Sequence, residues 1–443
     1  MKNIILFLCF TAILHAQDFN KPKLDSLLDI LGENNRFMGG LSIMHDGKEV
    51  YQKSIGFADV SRKSEADRKT KYRIGSITKT YTATLLMQFV EEGKLNLTDT
   101  LSSYFPEVAN AEKITIDDML HHRSGIFNIT EAVDFGTWVA EPRSREEILE
   151  LLKMNEAAFE PKEKAGYSNT NYILLSYILE DIAKKPFSQL LKDRIITPLG
   201  LKRTEFGHKI QPEKNEAIPY YRKNGTWNPV EPLTDMQNPM GAGSVVSTPT
   251  EVTQFYNALF SGKLVSKNSF HKMTDVSTGT GYGLGSGAFN GREGFGHNGS
   301  IDGFQAFTFF MPQEKVAMAL SSNAYDIPFF YVLESVVSIY FDDPYEIPQF
   351  KPLQPFIKLN SEELEPFLGI YSDPDFPLKI KVFKEENKLM AQATDQDAFQ
   401  VDAIEKNIFK SFEEMITLDF NVQENKMQFE QLGQPTVILT REN

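Results

Sequence analysis

Apolar positions recur at two periods along this chain, and the changes of period mark out its parts. Over residues 23–31 they fall three and four apart, which predicts a short amphipathic helix with Pro22 in its first turn. Residues 41–45 and 49–55 alternate instead and flank Asp46-Gly47, the pattern of two antiparallel strands joined by a tight hairpin. Helical spacing returns over residues 78–90 and is stopped by Gly93. Helical pieces and turns follow over residues 95–101 and 116–126, then helices over 143–154 and 172–182, the last entered through a polar loop, 161–169. Residues 212–239 are polar and proline-rich and predict an excursion. The glycines of 241–243 permit a sharp turn and close backbone approach, and Ser247 or Thr248 can cap a helix over 249–260. Strand-like runs at 305–311 and 316–321 surround the turn 312–315, and a helix over 329–340 returns to them.

Pro344, Pro348, Pro352 and Pro355 then interrupt both periods, and neither helix nor central strand persists through such spacing. From about residue 362 the texture becomes short alternating runs with turns between them: 367–371, 378–383, 388–393, 399–404, 415–420, 426–430 and 436–439. These seven strands, with no evident helix, predict a small antiparallel barrel. The expected organisation is a signal peptide over 1–16, an α+β domain over 17–342, a proline-rich linker over 343–361 and an all-β barrel over 362–443.

Composition narrows the function classes. Of 443 residues, 41% are hydrophobic and 12% aromatic, enough for real cores. The formal net charge of −14 repels nucleic acid and anionic membrane, so a small-molecule or peptide substrate is the expected partner, with homo-oligomerisation left open. Lys2 followed by the apolar run 4–14 has the form of a signal peptide cleaved after Ala16, although Leu14 is large for its place before the cut. The single cysteine, Cys9, lies inside that leader, so the mature chain would hold no thiol, disulfide or Cys-ligated metal. Phe10 after it is unlike the small residue of a lipid-anchored cysteine. No stretch reaches the roughly 20 apolar residues of a membrane-crossing helix, so a secreted or periplasmic protein without an integral segment is expected.

Three short patterns carry chemistry. Ser76 opens the helix of 78–90, and Lys79, three residues on, lies on the same face within reach of its hydroxyl. A serine hydroxyl needs a base and a positive setting to attack, which a buried, depressed amine and a helix N-terminus supply. Tyr167 and Asn169 end the polar loop; a tyrosine of ordinary pKa about 10 becomes accessible as a phenolate beside an ammonium and could carry the Ser76 proton. His297, Asn298, Gly299 and Ser300 sit on or beside a strand, where an imidazole orients substrate and Gly299 lets backbone donors come close. Singly, each has a structural reading: a surface helix, a loop aromatic packed under the next helix, a structural histidine. The pair His121-His122 invites a metal reading, but adjacent helix positions face different sides and no histidine nearby completes a ligand set, so a structural or turn-capping role is expected and no metal or other cofactor.

Together, Ser76-Ile77-Thr78-Lys79, Tyr167-Ser168-Asn169 and His297-Asn298-Gly299, in that order, resemble the signature of the serine beta-lactamase and penicillin-binding-protein superfamily. The Tyr-Ser-Asn form is similar to the branch of class C beta-lactamases, D-alanyl-D-alanine carboxypeptidases and esterases. Flanking stretches 120–125, 159–161 and 241–248 resemble it too, the likeness spanning residues 22–342, while Phe367-Leu368-Gly369-Ile370-Tyr371 opens a tail resembling a lipocalin-like domain. The resemblance implies an antiparallel sheet flanked by helices plus a helical lobe, with the site in the cleft between them. It implies Ser76 as the acylated nucleophile, Lys79 and Tyr167 sharing proton transfer, Asn169 on the substrate amide, and the amides of Ser76 and Ser300 as the oxyanion hole. His297 stands where lysine is usual, and a neutral imidazole anchors a carboxylate weakly, so esterase or peptidase activity is implied over potent beta-lactamase activity. Lys162 stands where glycine is common. The competing reading is a catalytically idle member used for binding or assembly.

Overall fold

The computed structural model describes residues 19–223, 225–345, 347–348, 357–374, 376–394, 396, 398–411, 416–431 and 436–442. The leader expected over 1–16, and positions 346 and 349–356 of the expected linker, lie outside the described residues.

A six-stranded antiparallel sheet organises the first part. Its order is Gly285–Phe289, Arg292–Ile301, Phe304–Met311, Val316–Tyr325, Phe37–His45 and Lys48–Ile55, so the chain's first hairpin closes against its last strand before the linker. Asp46 and Gly47, at φ 48° and 76°, make the expected hairpin turn. The helices Lys21–Glu33 and Phe329–Tyr340 pack on one another and against the sheet. Leu24, Leu27, Leu28 and Leu31 are all buried there beside Val332 and Val336, and each contributes about 1.5–3 kcal/mol of burial. Helix Pro249–Phe260, capped by Thr248 rather than Ser247, packs against strands Phe37–His45, Phe304–Met311 and Val316–Tyr325.

A largely helical lobe stands beside the sheet, built around Thr78–Glu91 and Asn169–Ala183. Thr78–Glu91 is buried on nearly every side, which explains its threonines: a buried hydroxyl must find a partner. Thr80 bonds the Gly283 carbonyl at 2.6 Å, Thr82 the Gly241 carbonyl at 2.7 Å, and Thr78 accepts from the Val245 amide at 3.0 Å. These bonds fix the helix that carries Lys79 to two distant stretches, 241–245 and Gly283. Among the described residues no helix is long and apolar enough to cross a membrane.

The tail is a closed antiparallel barrel of eight strands, each paired with its sequence neighbours and shut by Gly369–Ser372 against Val437–Arg441. Its interior is packed with alternating side chains, among them Val382, Ala391, Val401, Leu418, Met427 and Leu439. The alternation predicts seven of these strands. The eighth, Ile408–Ser411, is four residues long and enters straight from a hairpin turn, too short for its period to register. A helical turn, Ser361–Leu364, also precedes the barrel, where no helix is expected.

Candidate active site

Ser76 sits in a 3-10 turn, Gly75–Ile77, that runs directly into helix Thr78–Glu91, and this turn lies against the strand carrying His297 to Ser300. Two glycines make the approach feasible. Gly75 is at φ +50°, and a Cβ on it would lie 2.8 Å from the Ser300 amide nitrogen. A Cβ on Gly299 would lie 2.0 Å from the Ile74 carbonyl oxygen. Backbone therefore meets backbone here, and the amides of Ser76 and Ser300 come to the same end of the cleft.

Lys79 projects one helical turn from Ser76, completely buried. Its Nζ is 3.0 Å from Ser76 Oγ, and 2.8 Å from both Asn169 Oδ1 and the Ala242 carbonyl oxygen. Burial holds the amine well below its ordinary pKa. The Ala242 contact was beyond sequence reading: the glycines around it announce close approach, not which carbonyl faces inward.

Tyr167 donates its hydroxyl to Ser76 Oγ at 2.8 Å. Desolvation pushes this phenol up to about 12, with the Ser76 bond opposing. The shift runs away from a phenolate, and the amine beside Tyr167 is itself held below its ordinary value. The ring stacks on His122, centroids 4.5 Å apart and planes 28° apart, with Lys79 Nζ 4.8 Å from its own centroid. His122 Nδ1 accepts from the Ser168 amide at 3.1 Å, so its proton lies on Nε2; burial first and Lys79 second hold it well below its usual value. His121 instead places Nδ1 2.6 Å from the Thr280 carbonyl. The adjacent histidines thus serve different neighbours, and His122 supports the tyrosine.

Asn169 begins helix Asn169–Ala183, earlier than the apolar pattern predicts, with its amide bonded to Asn128 Oδ1 at 3.1 Å and its Nδ2 3.2 Å from Thr130 Oγ1. His297 faces Tyr167, centroids 6.5 Å apart, with Nδ1 2.5 Å from the Asn298 carbonyl. Desolvation first and Lys79 second push it down to about 4, so it is neutral at physiological pH. Asn298 is exposed on the strand, and Ser300 Oγ accepts from Gln305 at 2.9 Å. The structure therefore gathers all eight expected positions around one cleft. It adds a buried ion pair between Arg73, three residues before Ser76, and Asp302, two after Ser300. Thr234 joins it, donating to Asp302 through its amide at 3.1 Å and its hydroxyl at 2.6 Å.

Glu205, His208 and Glu216 form the one described cluster whose ligand atoms converge within 4.8 Å. The Lys71 ammonium already lies between the two carboxylates, 2.8 Å from Glu216, and acts as their counter-charge.

The family model described as Beta-lactamase matches residues 24–332. The putative penicillin-binding protein PbpX of Bacillus subtilis (strain 168) is 28% identical over 289 residues, 65% of this chain and 71% of that protein. Among solved structures, D-amino acid amidase from Ochrobactrum anthropi SV3 complexed with D-phenylalanine superposes with a TM-score of 0.63 at 26% identity, covering 72% of this chain and 99% of its own. The octameric penicillin-binding protein homologue from Pyrococcus abyssi shares the fold over 95% of this chain and 100% of its own, at a TM-score of 0.66 and 24% identity.

Proposed function

The chain belongs to the beta-lactamase family, and on that premise we propose that it is a serine hydrolase cleaving an ester or amide through an acyl-enzyme on Ser76. The observation that carries this reading is the convergence on Ser76 Oγ of Lys79 Nζ at 3.0 Å and the Tyr167 hydroxyl at 2.8 Å. A neutral Lys79 has two N–H bonds and one lone pair. Asn169 Oδ1 and the Ala242 carbonyl are acceptors that take the two N–H bonds, which leaves the lone pair for the Ser76 proton.

Lys79 takes that proton as Oγ bonds to the substrate carbonyl carbon. The oxyanion so formed is held by the amides of Ser76 and Ser300, an arrangement worth about 3–4 kcal/mol per donor elsewhere. As the bond to the leaving group breaks, Tyr167 gives that group its proton and recovers the one held by Lys79. Water then attacks the acyl-enzyme by the same path in reverse and frees Ser76. The neutral His297 favours esters and amides over carboxylate-bearing beta-lactams, and the similarity to an amidase supports an amide among the substrates.

Intact-mass measurement after a fluorophosphonate tests this reading. One adduct mapped to Ser76, absent in Ser76→Ala, is the expected result; no adduct, or full hydrolytic turnover by Ser76→Ala, would sink it. The leader over 1–16 supports export, and a secreted form beginning at Gln17 checks it.

A further inference from the structure

Two pockets adjoin the site, one lined by Tyr167, whose hydroxyl bonds Ser76 Oγ, and the other by Ser76 itself, and the proton path distinguishes them. Tyr167, His122 and His297 line the first, with residues 283–289 as its opposite wall. Gly75, Ser76, Asn169 and Ser300 are among the residues that line the second. The departing group takes its proton from Tyr167 and so leaves through the first pocket. The acyl group stays bonded to Oγ with its oxygen between the amides of Ser76 and Ser300, which directs the rest of it into the second.

That second pocket has a volume of about 370 Å³. At roughly 30 Å³ per water-sized group it holds about a dozen non-hydrogen atoms. Its apolar wall is Ile129, Phe135, Val139, Ile173, Pro239 and Ile301. The polar side chains reaching it already have partners. Thr130 donates to Asn128 at 3.0 Å, and Asn238 donates to the carbonyls of Val139 and Glu141 at 2.8 and 2.9 Å. Asp302, the one charged side chain among the lining residues, is neutralised by Arg73 and bonded by Thr234. Asn169 turns its Nδ2, a donor, toward Thr130, also a lining residue, which presents an ammonium with a donor and not an acceptor. A charge entering here would lose its water and find no counter-charge.

We propose that this pocket is an acyl-specificity site for an uncharged, apolar acyl group of arylacetyl or branched alkanoyl size, and that it discriminates against acyl groups bearing an ammonium or a carboxylate. The proposal rests on acylation at Ser76, and the test separates the two.

The purified chain is assayed with p-nitrophenyl esters of acetic, phenylacetic, succinic and D- and L-phenylalanine acyl groups, one leaving group throughout, beside fluorophosphonate labelling. The expected result is kcat/KM at least about tenfold higher for phenylacetyl than for acetyl, with the succinyl and both phenylalanyl esters below acetyl. Phe135→Ala is expected to shrink the phenylacetyl-to-acetyl ratio by about tenfold, a quotient insensitive to the fraction of folded enzyme. Labelling at Ser76 with a flat or reversed acyl order overturns the pocket proposal alone. Absence of both labelling and turnover overturns it together with the Ser76 reading.

Discussion

The buried amine of Lys79 lies 2.8 Å from both the Ala242 carbonyl and Asn169 Oδ1 and 3.0 Å from Ser76 Oγ, so in its neutral form the two carbonyl oxygens take its hydrogens and its lone pair is left to Ser76. Burial depresses the amine, which populates this base below the ordinary pH range of lysine. Lys79→Ala is therefore expected to slow acylation by about 10²–10⁴-fold, the usual worth of a positioned base. In the wild type, kcat/KM should fall on the acid side as the amine takes up a proton, and the residual activity of the variant should lack that limb. Stopped-flow release of nitrophenolate across pH measures both.

Arg73 and Asp302 are 229 positions apart, yet their ion pair ties the turn before Ser76 to the hairpin after Ser300. Asp302→Ala strands a buried guanidinium and is expected to cost about 3–5 kcal/mol in denaturant unfolding. A matching loss in kcat is expected, because the Ser300 amide is no longer held in register with Ser76. Glu160→Ala, which breaks the exposed pair with Lys113, should cost less than about 1 kcal/mol.

What could be read from the sequence was local. Ser76 with Lys79 and Tyr167 with Asn169 are each set by a few residues of one element, and four of the sheet's six strands fall on the strand-like runs 41–45, 49–55, 305–311 and 316–321. The strand Gly285–Phe289 escaped because Gly-Ser-Gly-Ala-Phe has no apolar period. Ala242 on Lys79, Arg73 on Asp302 and His122 under Tyr167 escaped because each joins segments brought together only by the tertiary fold. The direction of the Tyr167 shift lies beyond local reading for the same reason, since it depends on how deeply the phenol and its neighbouring amine are buried.

Gly299 tests how tightly strand and turn are fitted. A Cβ 2.0 Å from the Ile74 oxygen cannot be absorbed by a side-chain rotation, since the atoms it meets, of Ile74 and Ser76, are all backbone. Gly299→Ala should lower the Tm by several degrees, which a thermal melt beside the wild type measures. Its kcat should drop by more than its stability predicts, because the strand moves the Ser300 amide away. Unchanged kcat in the folded fraction would refute the fit.

Lys162 has φ +73°, in the left-handed region that favours glycine. A side chain there costs roughly 1–2 kcal/mol, against about 0.5–1 kcal/mol of extra chain entropy for glycine. Lys162→Gly should leave the Tm level or raise it by a degree or two, and Lys162→Val should lower it. Calorimetry on the two variants decides the sign.

His297 closes the question of charge in the cleft. Its folded pKa is down at about 4 from an ordinary 6.5, chiefly through desolvation and then through Lys79. Between those values the unfolded chain binds a proton that the folded imidazole does not. Stability contributed at this position therefore falls as pH drops from 6.5 to 4 and is level above that window. His297→Gln should show a shallower decline of Tm over the same range. The same neutrality means that a substrate carboxylate in the cleft meets no cation from this side chain at pH 7. His297→Lys supplies one, and a charge-assisted bond of about 1.5–3 kcal/mol should raise acylation by a penicillin at least about tenfold. Turnover of a neutral ester should not gain. A penicillin rate unchanged in His297→Lys, with Ser76 still labelled by a fluorophosphonate, would show that the identity of this residue does not set the preference.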